Sequence, residues 1–249
     1  MTDIVAIIPA RSGSKSVIDK NITPLSGHPL IAYSIAIAKL SNKVGRVIVS
    51  TNSVEYSIIA QIYGAEVPFL RPEEFSSDDA TDRDFLIHAM NFLNVSEKLL
   101  PEYWVHLRPT TPLREIAIID DAIDCLLNDS TSTSLRSGHK APESPLKWFM
   151  KDEDGYFKGL MDSDVEDEVY NLPKEAFDDV YIPDGYVDIL KASHVMNNKT
   201  VHGNKIMGFE SPVCTEVDSK DELYYIQYQI EKNGSQLLDY LDKCVSKEV

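Results

Sequence analysis

The chain has few of the features that mark a secreted, membrane-spanning or nucleic-acid-binding protein. Its three cysteines, Cys125, Cys214 and Cys244, are widely spaced and form no Cys-x-x-Cys pair, so we expect reduced thiols and a cytoplasmic location. No apolar run approaches the roughly 18 residues that span a membrane. The first apolar run is interrupted by Asp3 and ends at Pro9, which is not the pattern of a signal peptide.

Positive charge is also scarce. The 249 residues include 24 Lys and Arg against 40 Asp and Glu, for a net charge of −16. Such a surface repels phosphate polymers and anionic membranes, so we expect neither a nucleic-acid nor a membrane partner. A local cluster of cations in this acidic chain therefore indicates a small anionic ligand.

Hydrophobic residues make up 43% of the chain, enough for a sizeable core, and we interpret residues 1–249 as one α/β domain. Apolar strand-like runs alternate with helical patterns over the first 136 residues. The predicted strands are residues 4–8, 46–51, 66–70, 103–107 and 132–136, and the predicted helices are residues 30–40, 54–63, 82–93 and 115–127. This order predicts a Rossmann-like, doubly wound, mostly parallel sheet.

The alternation stops near residue 140. Aromatic runs at 148–151 and 156–158 flank Asp154-Gly155, a strong signal for a β-hairpin turn. We interpret residues 142–182 as an insertion that carries this hairpin and serves as a homodimerisation arm, since most soluble oligomers are symmetric. The segments predicted after it are a turn at 182–185, strands at 186–190 and 205–209, and helices at 220–232 and about 235–243.

The loop after the first strand has the composition of a phosphate-binding loop. Glycine and serine let backbone N–H groups turn toward an anion, and arginine and lysine supply mobile positive charge. The candidate residues are Arg11, Ser12, Gly13, Ser14, Lys15, Lys20 and Asn21. The loop matches neither the dinucleotide-binding glycine pattern nor the P-loop pattern. A solvated basic loop is the alternative.

Two more polar clusters follow predicted strands, where open α/β sheets bind ligands. The first contains the candidate ligand-binding residues Arg71 and Thr81, which flank an acidic stretch that also suits a helix N-terminus. The second contains the candidates Arg108 and Thr110, which begin the rigid, proline-containing segment 108–114. The alternative for this segment is a stiff connection with exposed arginines.

A pair of carboxylates precedes the penultimate predicted helix. Glu216 and Asp218 are two residues apart, so in an extended segment they point to the same side. Paired carboxylates suit a hard cation such as Mg2+. The alternative is that they only stabilise the positive end of the helix dipole.

These clusters, in this order, resemble the acylneuraminate (CMP-sialic acid synthetase) family of cytidylyltransferases over nearly the whole chain. Residues 8–15 with Lys20-Asn21 are similar to the family's Ala-Arg loop and Lys-Asn pair. Residues 71–74 resemble its Arg-Pro-x-Glu segment, residues 108–114 its Gln-Pro-Thr-Ser-Pro-Leu-Arg, and residues 145–147 its His-Pro-Leu-Lys. Glu216 and Asp218 fall where the family carries a metal-binding Asp-x-Asp.

The resemblance implies transfer of CMP from CTP to the anomeric hydroxyl of a nonulosonic acid, with release of pyrophosphate. It implies that the first loop, Arg71 and Thr81 bind CTP, with Arg11 and Lys15 among the catalytic residues. It further implies that Arg108 and Thr110 face the sugar acid and that Lys147 reaches across a homodimer interface toward the partner's sugar. The remaining implied roles belong to Asp218, which would be catalytic and hold Mg2+ with Glu216.

The chain departs from the family pattern mainly around the sugar. Arg108 replaces a glutamine, Asp82 replaces a serine, Glu216 replaces an aspartate, and residues 183–188 replace a more apolar run. Ser16 replaces a glycine of the first loop. The alternatives are a nucleotidyltransferase for another sugar, either a Kdo-type acid or a sugar phosphate, and a catalytically degenerate homologue that only binds nucleotide.

Overall fold

A computed structural model describes residues 4–14, 17–160 and 168–245. Its strands are β1 (Ile4–Pro9), β2 (Pro24–Leu25), β3 (His28–Pro29), β4 (Arg46–Ser50), β5 (Tyr103–His106), β6 (Ser134–Lys140), β7 (Phe149–Lys151), β8 (Phe157–Gly159), β9 (Tyr181–Lys191) and β10 (Ile206–Glu210). Its α-helices are α1 (Leu30–Leu40), α2 (Val54–Ile62), α3 (Asp82–Phe92), α4 (Ile116–Leu127), α5 (Ala192–Asn197), α6 (Lys220–Asn233) and α7 (Gln236–Val245).

The central sheet has six strands in the order β10-β6-β9-β5-β1-β4. Strand β1 pairs in parallel with β4 and β5, and β6 pairs in parallel with β10. Only β9 among these six strands runs the other way, antiparallel to both β5 and β6. The predicted Rossmann-like, mostly parallel α/β sheet is therefore confirmed, and its parallel strands end at one common edge.

Helices cover both faces of the sheet. Strand β1 is apolar throughout because its side chains are buried on both faces. Ala6 and Ile8 pack into one core with α1, α2, α4, α6 and α7, whereas Val5 and Ile7 pack into a second core with α3 and α5. Successive side chains of a strand point to opposite faces, so a strand buried on both faces needs an unbroken apolar run.

Two local predictions were wrong. The predicted strand at 66–70 forms only two isolated bridges, Ile48 with Glu66 and Thr51 with Leu70, because Pro68 lies between them and has no N–H to donate. The predicted turn at 182–185 belongs instead to β9. There Gly185 has a positive φ of 63°, and the pairing with β6 shifts register between Arg136 and Gly138.

The predicted hairpin is present as the antiparallel pair β7 and β8, and Gly155 in its turn has a φ of 91°. Residues 161–167 of the predicted insertion lie outside the described residues, and the dimerisation role of the hairpin stays a prediction. Helix α6 begins at the predicted cap, where Ser219 and Glu222 form a capping box. Within the described ranges, no helix has the length and apolar character needed to cross a bilayer.

Candidate active site

A cavity of about 210 Å3 lies beyond the carboxyl ends of β1 and β5. We call it the cleft. Three of the polar clusters found in the sequence contribute to its lining, with the predicted site residues Arg11, Asn21, Arg71, Thr81, Arg108 and Thr110. The fold brings these clusters together because parallel strands place the loops that follow them at the same edge of the sheet.

The first loop is held in shape by its neighbours. The backbone N–H and the hydroxyl of Ser12 lie 2.9 and 3.2 Å from Oδ1 of Asn52, which follows β4. Asn21 donates from Nδ2 to the backbone oxygen of Arg11 at 2.9 Å. Gly13 has a φ of 79°, a conformation in which glycine is not strained. Ser14 is half-buried.

Lys15, the central lysine of the predicted phosphate loop, lies outside the described residues, as does Ser16. Arg11 is described, and its guanidinium reaches across the mouth of the cleft. It donates to the backbone oxygen of Ser76 at 3.2 Å and pairs with Asp78 at 2.8 Å. The side chain is 37% exposed, so it lies where an incoming anion can compete for it.

Arg71 forms a buried cationic wall of the cleft. Its Nε donates to the hydroxyl of Ser50 at 3.0 Å and its Nη2 to the backbone oxygen of Ser50 at 2.6 Å. The guanidinium carbon lies 4.8 Å from the centre of the Phe85 ring. Burial lowers the pKa of Arg71 to about 10, so the group is still charged at neutral pH.

Thr81 caps α3 and also lines the cleft. The Asp84 carboxylate accepts the backbone N–H of Thr81 at 2.7 Å and its hydroxyl at 2.9 Å. The capping interpretation and the binding interpretation of this segment are thus compatible, since the cap itself lies at the cavity wall.

Arg108 is clamped between two carboxylates. Its Nη1 lies 2.9 Å from Oδ2 of Asp188 and its Nη2 lies 2.7 Å from Oδ2 of Asp82. Burial lowers the pKa of Arg108, but the charges of Asp188 and Asp82 outweigh it and raise the pKa overall. A two-point grip on the carboxylate of a sugar acid would require these pairs to open, so that role stays a prediction.

The acidic pair lies beside the cleft. The backbone N–H of Val217 donates to the backbone oxygen of Thr110 at 2.8 Å, which ties segment 216–218 to the loop after β5. Oδ1 of Asp218 lies 2.9 Å from Nζ of Lys20. Lys20 directly precedes Asn21 of the cleft, so the acidic pair and the first loop are joined.

Glu216 is half-buried next to Gly185. A Cβ atom at Gly185 would lie only 2.6 Å from Oε1 of Glu216, so any larger residue there would displace the carboxylate from this position. Burial raises the pKa of Glu216, and the like charge of Asp218 raises it further, against the opposing charge of Arg108. The repulsion between the two carboxylates is the kind that a bound cation relieves.

The family comparison agrees with this arrangement. The protein family described as Cytidylyltransferase matches residues 5–156. The chain belongs to the cytidylyltransferase family. The matched stretch contains all of the cleft residues named above, and it ends before Glu216 and Asp218.

Two relatives carry more specific names. The chain is 42% identical over 122 residues to an N-acylneuraminate cytidylyltransferase of Escherichia coli O18:K1:H7, covering 49% of this chain and 28% of that protein. It is 37% identical over 124 residues to a CMP-N,N'-diacetyllegionaminic acid synthase of Legionella pneumophila, covering 49% of this chain and 52% of that protein. The aligned stretch thus spans about half or less of each relative.

A solved structure of a CMP:2-keto-3-deoxy-manno-octonic acid synthetase complexed with CTP has the same fold. It superposes with a TM-score of 0.68 over 92% of this chain and 99% of that one, at 15% identity. At that identity the likeness concerns the fold of this cytidylyltransferase and not its substrates.

Sequence reasoning missed a buried arginine that shapes the cytidylyltransferase site. Arg114 donates from Nε to the backbone oxygen of Tyr186 at 2.6 Å, and from Nη2 to the backbone oxygens of Arg108 at 2.8 Å and Gly185 at 3.1 Å. Its Nη1 donates to the hydroxyl of Ser34 at 3.0 Å. The signal was present in the Pro-Leu-Arg end of segment 108–114, which was predicted to bind ligand, with exposed arginines as the alternative; a buried structural role for Arg114 was not predicted.

Lys147 does not line the cleft of its own chain. It ends a short 3-10 turn, Pro145–Lys147, that leads into the hairpin. Within the described part of the chain, no three side chains of metal-ligating type come together. The two carboxylates at 216 and 218 fit a hard cation that takes its other ligands from phosphate oxygens and water, as Mg2+ commonly does.

Proposed function

We propose that this cytidylyltransferase transfers CMP from CTP to the anomeric hydroxyl of a nonulosonic, sialic-acid-like sugar acid and releases pyrophosphate. The observation that carries the proposal is the cleft itself. A chain with a net charge of −16 places Arg11, Arg71 and Arg108 around one cavity, with an acidic pair joined to it through Lys20. The names of the N-acylneuraminate and diacetyllegionaminic acid relatives support a sugar acid as acceptor.

The nucleotide would be divided between two parts of the cleft. The first loop, with Arg11, Lys15 and Lys20, would bind the triphosphate, because backbone N–H groups and cations together suit phosphate oxygens. The neighbouring polar groups of Asn21, Arg71 and Thr81 would face the base and ribose; Arg71 is the rigid member of this set because Ser50 holds it.

Glu216 and Asp218 would hold Mg2+. When bound, the ion would neutralise charge on the phosphates and lower the pKa of the attacking hydroxyl. The chain's own contribution is positioning. Phosphoryl transfer of this kind requires the attacking hydroxyl and the leaving pyrophosphate to be in line, and catalysis comes mainly from orientation and charge neutralisation.

The acceptor would enter between Arg108 and the acidic pair, with Thr110 beside it. We further propose a cytoplasmic homodimer, in which Lys147 of one copy reaches the sugar site of the other. The hairpin supports this, since its aromatic side chains Trp148, Phe149, Tyr156 and Phe157 are all at least 44% exposed. Clustered exposed aromatic side chains are typical of protein interfaces.

The test is a matrix of substrates with Mg2+ present. Each of the four nucleoside triphosphates is combined with N-acetylneuraminic acid, N,N'-diacetyllegionaminic acid, Kdo or a hexose 1-phosphate, and pyrophosphate release is measured. We expect release only with CTP plus a nonulosonic acid. Turnover of Kdo alone, or of GTP with the sugar phosphate, would replace the proposal with the corresponding transferase. CTP binding without turnover of any acceptor would indicate a nucleotide-binding homologue.

A further inference from the structure

A row of side chains runs across the sheet away from the cleft. His106 on β5 is directly opposite Asp188 on β9, Asp188 is opposite Arg136 on β6, and Arg136 is opposite Gly208 on β10. Directly opposed residues of neighbouring strands point to the same face of a sheet. The row therefore leads from β5, whose carboxyl end adjoins the cleft, to the edge strand of the sheet.

Asp188 joins two arginines in this row. Its Oδ2 is bonded to Arg108 of the cleft at 2.9 Å, and its Oδ1 lies 3.6 Å from Nε of Arg136. That second distance is too long for a hydrogen bond, and within the described residues neither Oδ1 of Asp188 nor Nε of Arg136 has a hydrogen-bond partner. Charge therefore holds Arg136 in place, and its side chain is 37% exposed.

A second cavity, of about 430 Å3, opens beside Arg136. Its lining includes the apolar side chains of Ile206 and Pro183 and the carboxylate side chain of Glu210. Gly208 leaves room in it, since a Cβ atom built there would meet no other atom within 4 Å. The cavity thus offers one cationic donor above apolar surface.

The cleft alone is small for the proposed reaction. Pockets for single drug-sized ligands hold roughly 300 Å3 or more, whereas the cleft holds about 210 Å3, and a nucleotide and a nine-carbon acid must meet there. The second cavity is lined by Arg136, which Asp188 links to Arg108 of the cleft.

We infer that an acylamino substituent of the acceptor occupies the second cavity, with Arg136 donating to its carbonyl oxygen, so that Arg136 is a specificity-determining residue. This inference rests on the proposed function. The carbonyl oxygen accepts from the guanidinium, and the acyl methyl lies against Ile206, which is on the same face of the sheet as Arg136. A carboxylate would instead meet the charge of Glu210. Asp188 acts as a positioning residue, since its carboxylate contacts both Arg136 and Arg108 and fixes where each guanidinium lies.

Two variants and a control test the inference in the full-length protein. Arg136→Leu removes the donor, and Gly208→Val fills the cavity from the opposite strand. Lys205→Leu removes an exposed cation next to β10 that does not line the cavity. For each, the KM values are measured for CTP, for an acylated acid (N-acetylneuraminic or N,N'-diacetyllegionaminic acid) and for an unacylated nonulosonic acid that carries a hydroxyl in place of the acylamino group, together with the thermal midpoint and CTP affinity.

We expect Arg136→Leu and Gly208→Val each to raise the KM for acylated acceptors about tenfold, as for one lost hydrogen bond. The KM values for CTP and for the unacylated nonulosonic acid should stay unchanged, and Lys205→Leu should behave as wild type. Unchanged acceptor KM values in both variants would overturn the inference while leaving the proposed function intact. An equal rise in KM for acylated and unacylated acids, or a change in oligomeric state alone, would also overturn the inference. A wild-type protein that turns over no sugar acid would overturn the proposed function itself.

Discussion

Nζ of Lys20 lies 2.9 Å from Oδ1 of Asp218, although the two residues are 198 positions apart in the chain. The pair joins the loop after the first strand to the acidic segment before α6. Lys20 is 13% exposed and Asp218 is 69% exposed. The proposed phosphate-binding cation and the proposed metal carboxylate thus neutralise each other. When CTP and Mg2+ bind, Lys20 would instead contact a phosphate and Asp218 would instead contact the ion.

Asp218→Ala should abolish turnover without unfolding the protein. Loss of a preorganised charge at such a site commonly lowers kcat by about 100-fold or more, whereas an exposed ion pair contributes only roughly 0–1 kcal/mol to stability. Steady-state CMP transfer and circular dichroism measure the two effects. Asp221→Ala is the matched control, since Asp221 lies in the first turn of the same helix and should be active. Undiminished transfer by a native-like Asp218→Ala protein would exclude Asp218 from the reaction.

Arg114→Met should destabilise the fold by about 3 kcal/mol. The substitution removes the side-chain donor to the backbone oxygens of Tyr186 and Gly185 in a buried site, and such groups are costly to leave unpaired; the backbone oxygen of Arg108 keeps the hydroxyl of Ser34 and the N–H of Thr111. Urea denaturation gives the free energy of unfolding. Arg46→Met is the comparison, because Arg46 pairs with Glu66 and Glu97 at the surface and should cost no more than about 1 kcal/mol. Equal losses in the two variants would show that Arg114 has no special structural role.

Glu216→Gln should stabilise the metal-free protein at neutral pH and lower its activity. Burial and the charge of Asp218 raise the pKa of Glu216 in the folded state. The contribution of this group to stability is therefore complete below its unfolded pKa of about 4.3 and is lost as the pH rises through the folded pKa. Glu216→Gln does not lose this stability as the pH rises, because glutamine does not ionise. Thermal midpoints measured without metal should favour Glu216→Gln at pH 7 and converge with wild type below pH about 4. A wild-type protein that is the more stable at pH 7 would contradict the assignment.

Asp184→Asn should show the opposite pH dependence. Burial raises the pKa of this carboxyl, but hydrogen bonds from Ser211, from Ser137 at 2.7 Å and from the backbone N–H of Tyr186 at 3.0 Å outweigh it, and the pKa is lowered overall. Its stabilising effect is present above its unfolded pKa of about 3.9 and is lost as the pH falls through the folded pKa. The variant should unfold more easily at pH 7, and the difference should shrink below pH about 4. A difference that does not change with pH would show that the charge of Asp184 is not what stabilises the fold.

The sequence predicted the parts of this molecule that depend on local pattern. The buried strand at β1, helix α1 and the Ser219 cap of α6 each follow from residues close together in the chain. The topology then explains why Arg11, Arg71 and Arg108 meet, because loops that follow parallel strands share one edge.

The parts that the sequence did not predict depend on distant partners. Asp188 pairs with Arg108 across 80 residues, and Arg114 bonds to Tyr186 across 72. No spacing rule within a helix or strand indicates such contacts. A lone carboxylate in the apolar strand 186–190 was the one available signal, since a buried charge needs a partner.

The most direct measurement is the mass of the product formed from CTP, Mg2+ and a nonulosonic acid. We expect a single new species whose mass equals acceptor plus CMP minus one water, formed together with one equivalent of pyrophosphate. CTP hydrolysis to CMP without a sugar adduct, or no consumption of CTP, would contradict the proposed transfer.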